Sequence, residues 1–263
     1  MILAVDVGNM VTTIGLFEPS GAPVFFSTIQ TNRDKTKDQC AVDLMNVFQL
    51  YGAEMRTVEG AILSCVVPPV AASMSDAMRR LTERRPIFVG PGTKTGLNIR
   101  SDLHNQLGAD IVACSVAATA RYPSPVIVID MSTATTFSFL KDGVYEGCAI
   151  CPGIRLGLEA LSERAAELPH ISLEKPAAVM GHNTIDAMRA GIIHGHAGMV
   201  DSMIDRLQEG AGERAAAVVA VGDQAPLILS CCQHEIIYDP DLLMNGLYLL
   251  YLKNTRKPKK DAI

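Results

Sequence analysis

No stretch of roughly 18 apolar residues, the length that crosses a bilayer, occurs in this 263-residue chain, so no membrane-spanning helix is expected. An excess of positive charge is also lacking. A formal net charge of −5 provides no general field for a polyanion, which sets nucleic-acid partners aside. Low-complexity tracts are absent except for the basic end, Lys253 to Lys260, a charged run after the last apolar segment that reads as a solvated terminus. The first residues enter a strand pattern without a basic-plus-apolar leader, so a cytoplasmic protein with no membrane partner is expected.

A paired-cysteine framework is missing too. The seven cysteines are odd in number and scattered through apolar segments, as at Cys40, Cys65 and Cys114, and read as reduced core residues. Cys148-Ala-Ile-Cys151 has the C-x-x-C form and Cys231-Cys232 offers two more thiols, but positions i and i+3 of a strand face opposite sides and adjacent residues diverge, which disfavours zinc. His194 and His196, two apart in a helical pattern, cannot share a face either.

What the chain does have is 48% apolar content, enough for a substantial core in one large domain or two compact lobes. It also has a repeat. Val5-Asp6-Val7-Gly8-Asn9-Met10-Val11-Thr12-Thr13 and Ile129-Asp130-Met131-Ser132-Thr133-Ala134-Thr135-Thr136 are each an apolar run ending in Asp, a turn of small residues and a Thr-rich apolar run. Each reads as a buried strand and its hairpin partner. An acid at a strand end beside Gly or Ser and hydroxyls suits a divalent cation and phosphate oxygens, although either acid alone could simply close a turn. Doubling the device favours two related lobes whose acids face a cleft.

The periodicity predicts strands over 2–7, 11–17, 22–29, 60–66 and 86–89, with helices over about 37–52 and 71–85. A polar connection follows at 93–106, then a helix over 108–122. The second half predicts strands over 125–131, 133–140, 143–151, 216–221 and 235–237 and helices over 154–166, 184–208 and 240–254, with Asp142-Gly143 as a hairpin turn. The order strand-strand-strand-helix-strand-helix occurs twice. That order argues an α/β protein of two duplicated lobes and resembles the ribonuclease-H-like arrangement of the superfamily of actin, sugar kinases and heat-shock ATPases. The lobes are expected at 1–107 and 108–254, with a disordered basic tail at 255–263.

From Ile2 to Asn254 the chain resembles one family in particular, the type III pantothenate kinases. The resemblance is carried by Asp6-Val-Gly-Asn9, Ser64-Cys-Val-Val-Pro-Pro69, Gly90-Pro-Gly-Thr-Lys-Thr-Gly96 with Ile99-Arg100, Gly108-Ala109-Asp110, Asp130 with Thr133-Ala-Thr-Thr136, Pro152-Gly153-Ile154, Gly181-His-Asn-Thr184 and Asp239-Pro-Asp-Leu242. It implies ATP-dependent phosphorylation of pantothenate to 4'-phosphopantothenate, the first step of coenzyme A synthesis. It further implies that Asp6 positions Mg²⁺, that Gly8, Asn9, Thr12, Thr13 and Thr133 hold ATP phosphates, and that Asp110 is the catalytic base. Gly108, Ala109 and Thr184 would bind substrate, and Asp130 a monovalent cation, K⁺ or NH₄⁺. From the residues alone, Asp110 and Thr184 also fit helix N-caps.

The resemblance implies a homodimer, with apolar residues Ile111, Val112, Val116, Ile185, Met188, Ile192, Met199 and Met203 as interface material. The chain departs from the family pattern at Met10, Val11, Ser101, Ile111, Ser132, Cys148 and Asp223, and apolar Ile111 cannot bind an anion by charge. Two alternatives therefore accompany the kinase reading: a catalytically impaired paralogue that binds or regulates, paired with an intact subunit, and a kinase for another small hydroxyl substrate.

Overall fold

The structure is a computed structural model that describes residues 1–100 and 106–255; Ser101 and residues 256–263 of the basic tail lie outside the described residues. Contacts divide the chain into two compact units.

In the first unit, β1 (Ile2–Val7), β2 (Val11–Phe17) and β3 (Pro23–Gln30) form an antiparallel meander. Next come α1 (Lys37–Leu50), β4 (Gly60–Cys65), α2 (Pro68–Thr82) and β5 (Ile87–Phe88). β4 pairs parallel with β1, giving the order β3-β2-β1-β4-β5. Central β1 is buried on both faces, so its sequence is a continuous apolar run instead of an alternation. A reciprocal cap between Thr36 and Gln39 starts α1. Pro68 and Pro69 occupy the first turn of α2, where a missing N–H loses no helical hydrogen bond; the helix therefore begins before the expected residue 71. α1 and α2 cover one face of the sheet, where Leu3, Val5, Val7 and Ile14 meet Leu44, Phe48, Met74 and Met78.

After β6 (Asn98–Ile99), α3 (Ala109–Arg121) leads to the second meander, β7 (Val126–Met131), β8 (Ala134–Lys141) and β9 (Val144–Pro152). Asp142 and Gly143 turn the second hairpin with φ of 48° and 77°. Then follow α4 (Ile154–Arg164), α5 (Thr184–Ala211), β10 (Ala217–Val221), α6 (Ala225–Leu229) and β11 (Ile237–Tyr238), in a sheet of order β11-β10-β7-β8-β9-β6. Strand for strand, β9-β8-β7-β10-β11 repeats β3-β2-β1-β4-β5, which is the expected duplication. Ile127, Ile129, Met131 and Phe137 pack against Ile193, Ala197, Val200 and Ile228 on one face of this sheet.

The last helix, α7 (Leu242–Thr255), belongs to the first unit. There Met244 and Leu247, with Ala113 and Val116 of α3, cover Ile2, Ala4 and Phe17. A Cβ on Gly246 would lie 1.9 Å from the Ala113 carbonyl oxygen, so glycine is what lets the two helices touch. Grouping by contact thus differs from a division at 107/108, because the start of α3 and all of α7 complete the core over the first sheet. Among the described residues no helix is long and apolar enough to cross a membrane.

Several residues expected at an interface serve their own cores. Val116 and Met188 are buried, and Val112, Ile192, Met199 and Met203 pack against core clusters, whereas Ile185 remains 43% exposed.

Candidate active site

At the end of β1, strand register sets Thr13 of β2 and Ser64 of β4 on either side of Asp6, so the three side chains form a row on one sheet face. Asp6 is only 7% exposed, and its Oδ1 and the Ser64 Oγ are buried without a hydrogen-bond partner among the described residues. Burial pushes the Asp6 carboxyl up to about 7; the Ser64 hydroxyl nearby works against this and the charge of Asp110 adds to it. Leaving a buried polar atom unpaired costs about 1–3 kcal/mol, which a hydrogen bond or a bound cation would relieve.

Beside this row, the Gly8 N–H donates to the Val11 carbonyl at 3.0 Å and closes the β1–β2 turn, with Asn9 exposed at its tip. Thr12 departs from expectation. It is buried on the opposite face, and its hydroxyl pairs with that of Thr31 at 2.8 Å. Alternation along β2 therefore leaves Thr13, not Thr12, beside Asp6.

Asp110 is the second residue of α3, and its Oδ1 accepts the Ile111 N–H at 2.8 Å. A Cβ on Gly108 would lie 2.3 Å from that oxygen, so Gly108 makes room for the carboxylate. Burial raises the Asp110 pKa, while the backbone bonds it accepts lower it. Helix-terminal bonding and proximity to Asp6 coexist in this residue. Ala109 packs against the core, and Ile111 is half-buried.

In the second unit, Asp130 holds on β7 the place of Asp6 on β1, with Thr136 opposite on β8 and Val221 on β10. It too is 7% exposed. The Ser132 N–H donates to the Ala134 carbonyl at 3.2 Å, and half-buried Thr133 lies in that turn. Two glycines press onto the same backbone. A Cβ on Gly153 would lie 2.3 Å from the Thr133 carbonyl oxygen, and one on Gly222, where φ is 108°, would lie 2.4 Å from that of Met131. Exposed Asp223 follows, with Arg155 at 3.9 Å. Thr135 faces away from Asp130, as Thr12 faces away from Asp6, and pairs with His196 Nε2 at 3.0 Å. Burial pushes the His196 pKa down.

Asn183, not Thr184, caps α5: its Oδ1 accepts the Asp186 N–H at 2.9 Å. Thr184 is exposed and lines two open grooves of about 450 and 430 Å³, the second flanked by Leu161, Leu168, Met188 and Ile192. Cys148 and Cys151 lie opposite Ser138 and Thr135 on β8, hence on different faces of the sheet.

Local sequence pattern does not single out Ser64 for the site. Ser64 opens the run Ser64–Pro69, but its place beside Asp6 depends on the parallel pairing of β1 with β4.

A sheet repeated strand for strand, with an acid at the same strand position in each copy, is a duplicated ribonuclease-H-like fold. Solved structures share it. Component A of (R)-2-hydroxyglutaryl-CoA dehydratase from Acidaminococcus fermentans aligns with a TM-score of 0.57 at 13% identity, over 95% of this chain and 96% of that one. The activator of 2-hydroxyisocaproyl-CoA dehydratase from Clostridium difficile, solved with bound ADPNP, gives 0.59 at 13% identity, over 95% and 92%.

Sequence similarity is narrower. The family model for type III pantothenate kinase matches residues 2–206. The type III pantothenate kinase of Listeria monocytogenes is 37% identical over 261 residues, covering 99% of this chain and all of that protein. That of Halalkalibacterium halodurans is 38% identical over 255 residues, covering 97% and 100%. The chain belongs to the type III pantothenate kinase family.

Proposed function

We propose that this protein transfers the γ-phosphoryl group of ATP to pantothenate, giving 4'-phosphopantothenate and ADP, the first step of coenzyme A synthesis. The observation that carries the reading is the pairing of Asp6 with Asp110 in a member of this family: two acids with raised pKa values beside a tight glycine turn. Phosphoryl transfer asks chiefly for positioned charge and a proton acceptor.

Asp110 takes the proton of the attacking hydroxyl, whose oxygen bonds to the γ-phosphorus as the bond to the bridging oxygen of ADP breaks. A raised pKa makes it the better base. In the first unit the Asn9 amide and the Thr13 hydroxyl hold phosphate oxygens at the turn that the Gly8 N–H closes, and Gly108 leaves room for the acceptor beside Asp110. Asp6 fits Mg²⁺, since its carboxylate stands at the glycine turn with Oδ2 3.9 Å from where a Gly8 Cβ would sit. Bound there, Mg²⁺ would neutralise phosphate charge. Asp130, with the adjoining Met131, Ser132 and Thr133 backbone onto which Gly153 and Gly222 press, would hold the monovalent cation, K⁺ or NH₄⁺.

The protein acts in the cytoplasm as a homodimer. Support for the dimer comes from apolar Leu161, Val179, Met180 and Ile185, all exposed and on or close before α4 and α5. Incubation of the purified chain with pantothenate, ATP, Mg²⁺ and K⁺, followed by mass spectrometry, should yield a pantothenate phosphomonoester; its absence from a folded sample contradicts the reading.

A further inference from the structure

The two units repeat one row of side chains, Thr13–Asp6–Ser64 in the first and Thr136–Asp130–Val221 in the second. They differ chemically at the last position. Val221 is buried against Asp130, so a sheet of this kind folds with a hydrocarbon there. Ser64 instead buries a hydroxyl completely, and its Oγ finds no partner among the described residues. Packing gives no reason for that hydroxyl. Its neighbour does: the Asp6 Oδ1 is likewise orphaned, and Ser64 stands directly opposite Asp6 in the parallel register of β1 and β4. The other Asp6 oxygen, Oδ2, points toward the first turn, 3.9 Å from where a Gly8 Cβ would sit.

We infer that Ser64 is a positioning residue for Asp6, its hydroxyl donating to Oδ1 when a divalent cation and nucleotide phosphates engage Oδ2 at the Gly8 turn. A serine hydroxyl can rotate into that bond, and a hydrogen bond to a carboxylate is among the stronger ones. With Oδ1 held, the carboxylate plane is fixed and Oδ2 is aimed. The inference rests on the reading of Asp6 as the cation-holding acid.

Ser64→Ala, with Ser64→Thr as the variant that keeps the hydroxyl, tests this with Mn²⁺ as a spectroscopic probe. Free Mn²⁺ is titrated by paramagnetic resonance in the presence of ADP and each protein, and melting of the unliganded proteins is followed by circular dichroism. Ser64→Ala should melt at or above the wild-type temperature, since an orphaned buried hydroxyl has been removed. Its Mn²⁺·ADP affinity should nevertheless fall about ten-fold, and KM for Mg·ATP should rise more than kcat falls. Threonine should restore the affinity. If wild type binds Mn²⁺·ADP and Ser64→Ala binds it equally well, Ser64 does not position Asp6. A collapse of melting temperature in Ser64→Ala would make the residue structural and overturn the inference too. A wild type that binds no Mn²⁺·ADP overturns the cation reading of Asp6 itself, and the inference with it.

Discussion

Asp110, at the second position of α3, stands close enough to Asp6, at the end of β1, for its charge to help burial push the Asp6 carboxyl up to about 7. Two acids held this way disfavour simultaneous ionisation in the ligand-free protein. A cation bound at Asp6 would reverse that preference.

Stability of the metal-free chain should record this. An unfolded chain releases the Asp6 proton near 3.8 and the folded one near 7, so the folded state holds more protons between those values and loses stability as pH rises through them. Asp6→Asn removes the effect. Thermal melting in chelator should show the variant several degrees above wild type at pH 8, the gap closing toward pH 4, since each pKa unit corresponds to about 1.4 kcal/mol. A gap independent of pH would contradict the assignment.

Asp110→Asn keeps the shape and the acceptor for the Ile111 N–H but cannot take a proton. Turnover should fall about a hundred-fold or more, while ADP affinity measured by calorimetry stays within about two-fold. Turnover close to wild type would leave Asp110 as a helix-terminal residue only.

Much of this arrangement is written in the sequence. Apolar runs and turn residues mark β1, β2, β7, β8 and the Asp142-Gly143 hairpin, and the acid-ending strands reveal the duplication. Other features depend on partners distant in the chain. β6 has two residues, too few to carry a period, and joins the second sheet by pairing with β9. Two prolines at 68 and 69 resemble a break yet begin a helix. Thr12 and Thr13 look equivalent until strand pairing sends them to opposite faces, and Ser64 meets Asp6 only through parallel register.

Gly222 tests the second turn. With φ at 108° and the Met131 carbonyl oxygen 2.4 Å from a prospective Cβ, alanine would meet both backbone strain and a collision. Gly222→Ala should cost about 1–3 kcal/mol in urea unfolding and weaken nucleotide binding. Gly143→Ala, also at positive φ but with no atom within 4 Å of its Cβ, should cost less. Equal effects would show that contact with Met131 is unimportant.

Transfer from ATP to pantothenate is read directly by a coupled assay of ADP release. With Mg²⁺ and K⁺ present, the purified protein should release ADP when pantothenate is added, stop when pantothenate or Mg²⁺ is withheld, and lose most of its rate as Asp110→Asn. A folded protein that releases no ADP above the pantothenate-free rate would contradict the account.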